Sequence, residues 1–528
     1  MARIMLVNSP IRTSEPPKHI PYGLAILAAL ADSTGHEVGI LDVNAFRLNR
    51  ELIRRDLKAE AADKPLDLIG VSGLVTTYGF QKEIIPWLRR DHPGAVIVAG
   101  GGCASSIPGE MLEWIPELDM VCIGEGEKTF MEILDHLEDR DFSKVKGIWY
   151  REDLEDWPRP SKKHARKVEK KAKEMVAARR RGEVGVVKNP IRPLMSEEEL
   201  DQLPYPAWEL LPMEEVYFKN SPLALSAEAL AAKRRIDLIS ERGCPYSCTF
   251  CFHNYMGGDR LPDGSRLKPL VRYQSARYAV GLIKYARIKM GIDFVSILDE
   301  NFLANRKRAL EFCDLMEEEE LVGVVKWGCL GGPQTVDPEL LARLREAGCT
   351  YISFGFESAD PRRLKEIKKP HTVEQMSNAL RWTIKSGINP ITTFMVGYPE
   401  EDLVSIYETA RFWVKNGIEC VPFFITPYPG TELFKKHREA ILRQHGGDME
   451  RFVLALGDAT KLVANLTRFS DPEILGLRDL MVSHDLERIR RFAAKRGVEL
   501  EEESLRLESM VSTSSAEGSM GEIGEMET

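Results

Sequence analysis

The chain has 528 residues, 43% of them hydrophobic and 29% charged, with a formal net charge of −9. Such a composition excludes a disordered or collagen-like polymer and supplies cores for two to four domains. The acidic balance argues against a nucleic-acid partner, no apolar run is long enough to span a bilayer, and nine cysteines, three of them grouped, fit a reducing cytoplasm and not a disulfide scaffold.

The first ~140 residues alternate short apolar runs with helical periodicity, the pattern of a parallel sheet with crossover helices. Ile4–Val7 reads as a buried first strand and not as a secretory signal. A helix over Tyr22–Asp32 follows, then strands at Glu37–Asp42, Leu68–Ser72 and Ala95–Ala99, the last ending in Gly100-Gly101-Gly102. A helix runs through Trp87. Met120–Ile123 leads into Gly124-Glu125-Gly126-Glu127-Lys128-Thr129, which opens another helix. This is a doubly wound, Rossmann-like α/β domain over 1–145, with glycines where a bulky ligand approaches the strand ends. No Gly-x-Gly-x-x-Gly follows the first strand, which argues against a dinucleotide.

Residues 146–235 read as a charged connector, its basic run Lys162 to Arg181 forming a solvated helix or partly disordered arm. After the strand-like Ile236–Ser240 comes Cys244-Pro245-Tyr246-Ser247-Cys248-Thr249-Phe250-Cys251. A closed iron–sulfur or zinc site takes four protein ligands; this loop offers three, and the next cysteine is Cys313. A [4Fe–4S] cube on Cys244, Cys248 and Cys251 leaves one iron for a small chelating molecule, which can then accept an electron. Three structural thiols, or a zinc knuckle completed by His253, are the alternatives.

From 236 to 436 the βα pattern repeats, with strands at Phe294–Leu298, Val324–Cys329, Tyr351–Phe356, Ile391–Val396 and Val421–Thr426. Six strands make a partial (β/α)6 barrel of TIM type, with active residues at the strand carboxyl ends. Residues 437–505 read as a small helical C-terminal region, and 506–528 as a disordered acidic tail.

The Cys-x3-Cys-x2-Cys spacing, with Phe250 before the last cysteine, resembles the radical S-adenosylmethionine (SAM) family. The element order of 1–145, with its Gly-Gly-Gly turn and Gly-Glu-Gly-Glu-Lys-Thr close, is similar to the cobalamin-binding domain that precedes many such barrels. The resemblance implies SAM chelated to the open iron and cleaved to a 5′-deoxyadenosyl radical. It also implies SAM-cradle residues at Asp299, Glu300, Gly355, Glu357, Ser358 and Gly397, with Glu357 on the ribose and Phe250 nearby. The nucleotide tail of cobalamin would lie against Ser72, Gly73, Gly100, Gly101 and Gly102, with Gly124, Glu125 and Gly126 also among the cofactor-binding residues. Relatives that replace the lower axial base carry Asp-x-His-x-x-Gly after the first strand; this chain has Asn8-Ser9-Pro10-Ile11-Arg12-Thr13, so no protein histidine on cobalt is expected. Where relatives often have a histidine after the fourth strand this chain has Cys103, which either touches the corrin or packs. Tyr255, Tyr398 and Tyr428 either line the pocket or pack as aromatics.

The implied activity is methylation of an unactivated carbon in a small-molecule or peptide substrate, with flavodoxin or ferredoxin as electron donor. The runner-up is a cyclisation or rearrangement with the same cofactors, as in the anaerobic cyclase of chlorophyll synthesis. A non-catalytic sensor is the remote alternative.

Overall fold

The computed structural model describes residues 1–11, 17, 19–46, 65–219, 226–254 and 271–500. Tyr255 and the tail expected at 506–528 lie outside the described residues.

Runs that are apolar on both faces become interior parallel strands. In β1 (Arg3–Asn8), Ile4 to Val7 are all buried, and the strand pairs in parallel with β2 (Glu37–Asp42) on one side and β3 (Leu68–Ser72) on the other. The chain therefore reverses its winding between β1 and β3, and the crevice beyond their carboxyl ends is where such sheets take ligands. β4 (Val96–Gly100) and β5 (Met120–Cys122) extend the parallel sheet.

The sheet does not stop at residue 145. β6 (Ile148–Arg151) and β7 (Val186–Lys188), from the expected connector, add two antiparallel strands to give the order β2-β1-β3-β4-β5-β6-β7. The basic run between them is no solvated arm. It forms the helix Ala165–Arg180, whose Val168, Ala172 and Val176 are buried at helical spacing. Arg179 is buried with them, bonded to Asp119 at 2.8 Å and Asp153 at 2.7 Å. The Arg89 and Arg179 guanidiniums both lie over the Trp157 ring, at 4.3 and 4.2 Å from its centroid.

The second sheet has six parallel strands: β8 (Arg235–Leu238), β11 (Phe294–Ile297), β12 (Lys326–Gly331), β13 (Cys349–Glu357), β14 (Asn389–Val396) and β15 (Phe423–Phe424), adjacent in that order. It is the expected half-barrel. Above β8 stands a separate two-stranded ribbon, β9 (Glu241–Gly243) and β10 (Val271–Tyr273). The cysteine loop leaves the end of β9.

The C-terminal helices divide between the two sheets. Asp471–Val482 and Leu486–Lys495 bury Ile474, Leu477 and Ile489 in the barrel core. Glu432–Gln444, which crosses the expected boundary at 436, and Met449–Ala455 turn back to the N-terminal sheet. There Phe434 and Phe452, stacked at 5.5 Å, join Tyr78, Ile84 and Val75 in one core, and Glu450 binds Tyr78 and Lys82.

Candidate functional site

The cysteine loop is anchored at its backbone. Thr249 N–H donates to Ile367 O at 3.1 Å, Leu433 N–H donates to Thr249 O at 3.0 Å, and Cys251 N–H donates to Cys248 O at 3.1 Å. All three thiols are raised: burial pushes Cys244 up to about 11 and Cys251 up to about 12, Glu300 adding to both, while Cys248 rises through burial against the counter-pull of Lys369. Cys248 also raises Cys244, and both raise Cys251, so the three thiols share one neighbourhood. Thiols that resist ionisation in an apolar pocket become thiolates when a metal supplies the compensating charge. Among the described residues no three His, Cys, Asp or Glu side chains converge as single-ion ligands would. A cube makes no such demand, because each thiolate meets a different iron. The donor set fits an iron–sulfur cube.

Beside the thiols the barrel ends carry polar groups. Glu300 pairs with His253 Nε2 at 2.7 Å; burial lowers the imidazole, and the carboxylate more than reverses this. Its neighbour Asp299 points the other way, into the protein, accepting from Ser240 N–H at 2.5 Å and Ser240 Oγ at 2.7 Å and facing Arg308 at 3.5 Å. Asp299 therefore secures the approach to the cysteine loop and is not part of an open cradle. Glu357, at φ 66 in the left-handed region, meets Lys369 Nζ at 2.9 Å. Lys369 also donates to the Gly355 carbonyl at 3.1 Å and stands 6.0 Å from the Phe250 ring. A side chain on Gly355 would strike both Glu357 and Lys369. Ser358 turns inward, its hydroxyl accepting from Asp360 N–H at 3.1 Å. Gly397, at φ 92, donates its N–H to Glu401 at 2.6 Å. Tyr398 is buried and donates to Glu357 O, and Tyr428 donates to Gly457 O, so both are tied into the frame.

Sequence reasoning missed three groups. Lys369 brings a cation to Cys248 and Glu357; Glu401 holds the Gly397 turn; Glu241 is a buried carboxyl pushed up to about 9 by burial and by Asp299 and Glu300. Only long-range folding gives these residues their neighbours, and the Lys368-Lys369-Pro370-His371 run after Glu357 was the one local signal.

Between the two sheets lies a cavity of about 550 Å³, in the range of small-molecule sites. Ser72, Gly100, Gly101, Gly102, Gly124, Glu125 and Gly126 all line it. Gly73 lies one residue behind, packed against Thr77 and Gln81. Gly101 adopts φ 81, and a β-carbon there would come within 3.0 Å of Gly73 O, so the turn needs glycine. The inner end is an apolar slot between the sheet face and two helices, walled by Leu6, Val98, Leu24, Leu27, Phe130 and Ile133. The outer end is made by the other domain, through Ile239, Arg242, Gly243, His253 and Arg272.

Cys103 is fully buried in the N-terminal core, its thiol raised to about 12 by burial, and it packs away from the cavity. His19 also lies outside the lining, 3.2 Å from Asp237. The cavity's imidazole is His253, from the cysteine loop, and Asn8 stands at the end of β1. Buried Glu127 Oε2 and Arg272 Nε, both on lining residues, lack a hydrogen-bond partner among the described residues. Cobalamin fits this lining, since the glycine turns and the apolar slot admit a bulky apolar body whose primary carboxamides can meet Asn8, Ser72 and Arg242.

Residues 238–412 match the radical SAM superfamily, and residues 9–134 match the B12 binding domain. The chain is 26% identical over 394 residues to an uncharacterized methyltransferase of Pyrococcus horikoshii, covering 74% of this chain and 72% of that one. It is 29% identical over 398 residues to cytidylyl-2-hydroxyethylphosphonate methyltransferase of Streptomyces wedmorensis, covering 72% and 69%. The anaerobic magnesium-protoporphyrin IX monomethyl ester cyclase of Cereibacter sphaeroides is 23% identical over 438 residues, covering 82% and 62%. A solved structure of the radical S-adenosylmethionine methyltransferase TsrM from Kitasatospora setae has the same fold, with TM-score 0.62 at 19% identity, covering 84% of this chain and 77% of that one.

Proposed function

Because this chain belongs to the radical SAM enzymes that carry a B12-binding domain, we propose that it methylates an unactivated carbon of a small-molecule or peptide substrate. Its cofactors are a [4Fe–4S] cluster, SAM and cobalamin. When bound, cluster and SAM supply a 5′-deoxyadenosyl radical, and the corrin supplies a transferable methyl group.

The chain's own residues hold and orient these groups. Cys244, Cys248 and Cys251 carry the cube, and the Lys369 ammonium offsets negative charge on the Cys248 side. Glu357, fixed from above by Tyr398 and from the side by Lys369, presents its carboxylate to vicinal ribose hydroxyls. The Gly397 turn, held by Glu401, lets backbone approach a flat base. Ser72 and the two glycine turns seat the corrin, and the apolar slot takes its nucleotide tail. The observation that carries the reading is the shared cavity: glycine turns of one domain, and Gly243 and His253, which flank the three cysteines of the other, line a single space. The two relatives named methyltransferases, at 26% and 29% identity over most of their length, support methyl transfer over ring closure.

An acidic one-electron carrier such as flavodoxin or ferredoxin would feed the cluster, and the thiols suit the reducing cytoplasm. Among the described residues no helix is long and apolar enough to cross a membrane.

The test uses reconstituted protein, methyl-deuterated SAM, hydroxocobalamin and a reductant, incubated anaerobically with a metabolite extract of the source cells. Label should enter a product, with 5′-deoxyadenosine released, and Cys251→Ala should abolish both. Release of 5′-deoxyadenosine with an unlabelled product would replace methylation by cyclisation or rearrangement. No 5′-deoxyadenosine would remove the enzymatic reading.

A further inference from the structure

The wall that the two domains share is closed by four charges. Glu125 and Glu127 leave the N-terminal domain on the turn that follows β5, while Arg242 and Arg272 stand directly opposite one another in the β9–β10 ribbon. Like charges in register across two strands repel. Here each guanidinium is met by a carboxylate from the other domain: Glu127 reaches Arg242 at 2.5 Å, Glu125 reaches Arg272 at 2.9 Å, and Glu125 stands 3.9 Å from Arg242. The ribbon has three residues per strand and, among the described residues, pairs with no other sheet, so it is too short to hold its shape alone. Besides the quartet it is tied by Tyr273 N–H to Glu197 at 3.0 Å and by Arg272 to Met195 O at 2.9 Å. Its β9 strand leads to Cys244. All four residues line the cavity, with Arg242 part-exposed, while Glu127 Oε2 and Arg272 Nε are buried behind that wall without hydrogen-bond partners among the described residues.

We propose that this quartet is a latch through which cobalamin in the cavity and the cluster on Cys244 reinforce each other's sites. The inference rests on the assignment of the cavity to cobalamin. A primary carboxamide on the corrin rim can accept from the part-exposed Arg242 guanidinium, which holds it against Glu127 and keeps the carboxylates and guanidiniums in register. The ribbon is then fixed, and Cys244 is presented in one place. Linkage makes the effect reciprocal, so a cluster that fixes Cys244 also tightens the cobalamin site. Glu125, Glu127, Arg242 and Arg272 are positioning residues for the cluster, since none is a ligand to it.

Hydroxocobalamin titrated into wild-type protein with and without the reconstituted cluster reads the coupling. Cobalamin should bind roughly 5- to 100-fold tighter when the cluster is present, and hydrogen exchange at 241–243 and 271–273 should slow when cobalamin is added. In Glu127→Gln the two dissociation constants should fall within about twofold of each other, with cobalamin still bound and the ribbon's exchange unresponsive. Equal affinities in the wild type, or undiminished coupling in Glu127→Gln, overturn the latch and leave the cobalamin assignment standing. No cobalamin binding to the wild type removes both. Should Glu127→Gln fail to fold, Arg272→Lys, which keeps the charge and loses the planar fork, carries the same expectations.

Discussion

Glu401 shows how one buried carboxyl can serve a loop and still be costly to ionise. Its oxygen accepts from Gly397 N–H at 2.6 Å and from Tyr398 N–H at 3.2 Å, which favours the charged form, as does Arg363. Burial outweighs them and pushes the group from 4.5 up to about 8. Between these values the folded protein keeps a proton that the unfolded chain releases. Stability therefore falls as pH rises from about 4.5 to about 8, and is level above that. Glu401→Gln keeps an acceptor and removes the titration. Its melting temperature, measured against the wild type from pH 5 to 8, should lack a decline on the order of 5 °C. Parallel profiles would mean that Glu401 is already ionised in the folded protein.

Elements differ in how openly the sequence declares them. β2 and β3 have the bounds read from their apolar runs: β3 is an interior strand covered on both faces, and β2, a half-buried edge strand, is marked off by Gly35 and Asp42 at its ends. The helix Ala165–Arg180 was obscured by its own charge: the count of Lys and Arg masks an apolar stripe of three small side chains and one arginine. That arginine is testable. Arg179→Ala leaves Asp119 with Arg89 as its one guanidinium and takes from Asp153 its bond at 2.7 Å, so the cost should approach but not exceed the about 3–5 kcal/mol of a broken buried pair. Arg179→Lys should recover little, since one ammonium cannot span two carboxylates. Urea midpoints measure both, and a loss under about 1 kcal/mol would mean that the pair is effectively solvated. The site was legible to a similar degree. The cysteine spacing and glycine turns are local patterns; the glycine turns line the cavity, and the cysteine loop meets it at its two flanks, Gly243 and His253. Asp299 and Glu300 are adjacent residues whose side chains leave the end of β11 in opposite senses, a choice made by Ser240 and His253, which are remote in sequence, and by Arg308 in the next helix. Lys369 and Glu241 acquire their roles in the same way.

For the whole molecule, the helices 432–455 decide whether the two sheets behave as one body. They belong to the barrel by sequence and to the N-terminal sheet by packing. Phe452 is fully buried against that sheet, so Phe452→Ala should cost about 3–5 kcal/mol. The loss should appear as earlier urea unfolding of the N-terminal domain, with the barrel's midpoint shifted less. Simultaneous unfolding of both would mean that the domains form a single cooperative unit. The same return of the chain bears on biosynthesis. The N-terminal sheet leaves the ribosome first, yet part of its cover around Val75 and Tyr78 lies more than three hundred residues downstream. At elongation rates of about 5–20 residues per second, that face waits tens of seconds for its lid. A nascent chain of this kind has an interval in which folding helpers must shield a half-finished domain.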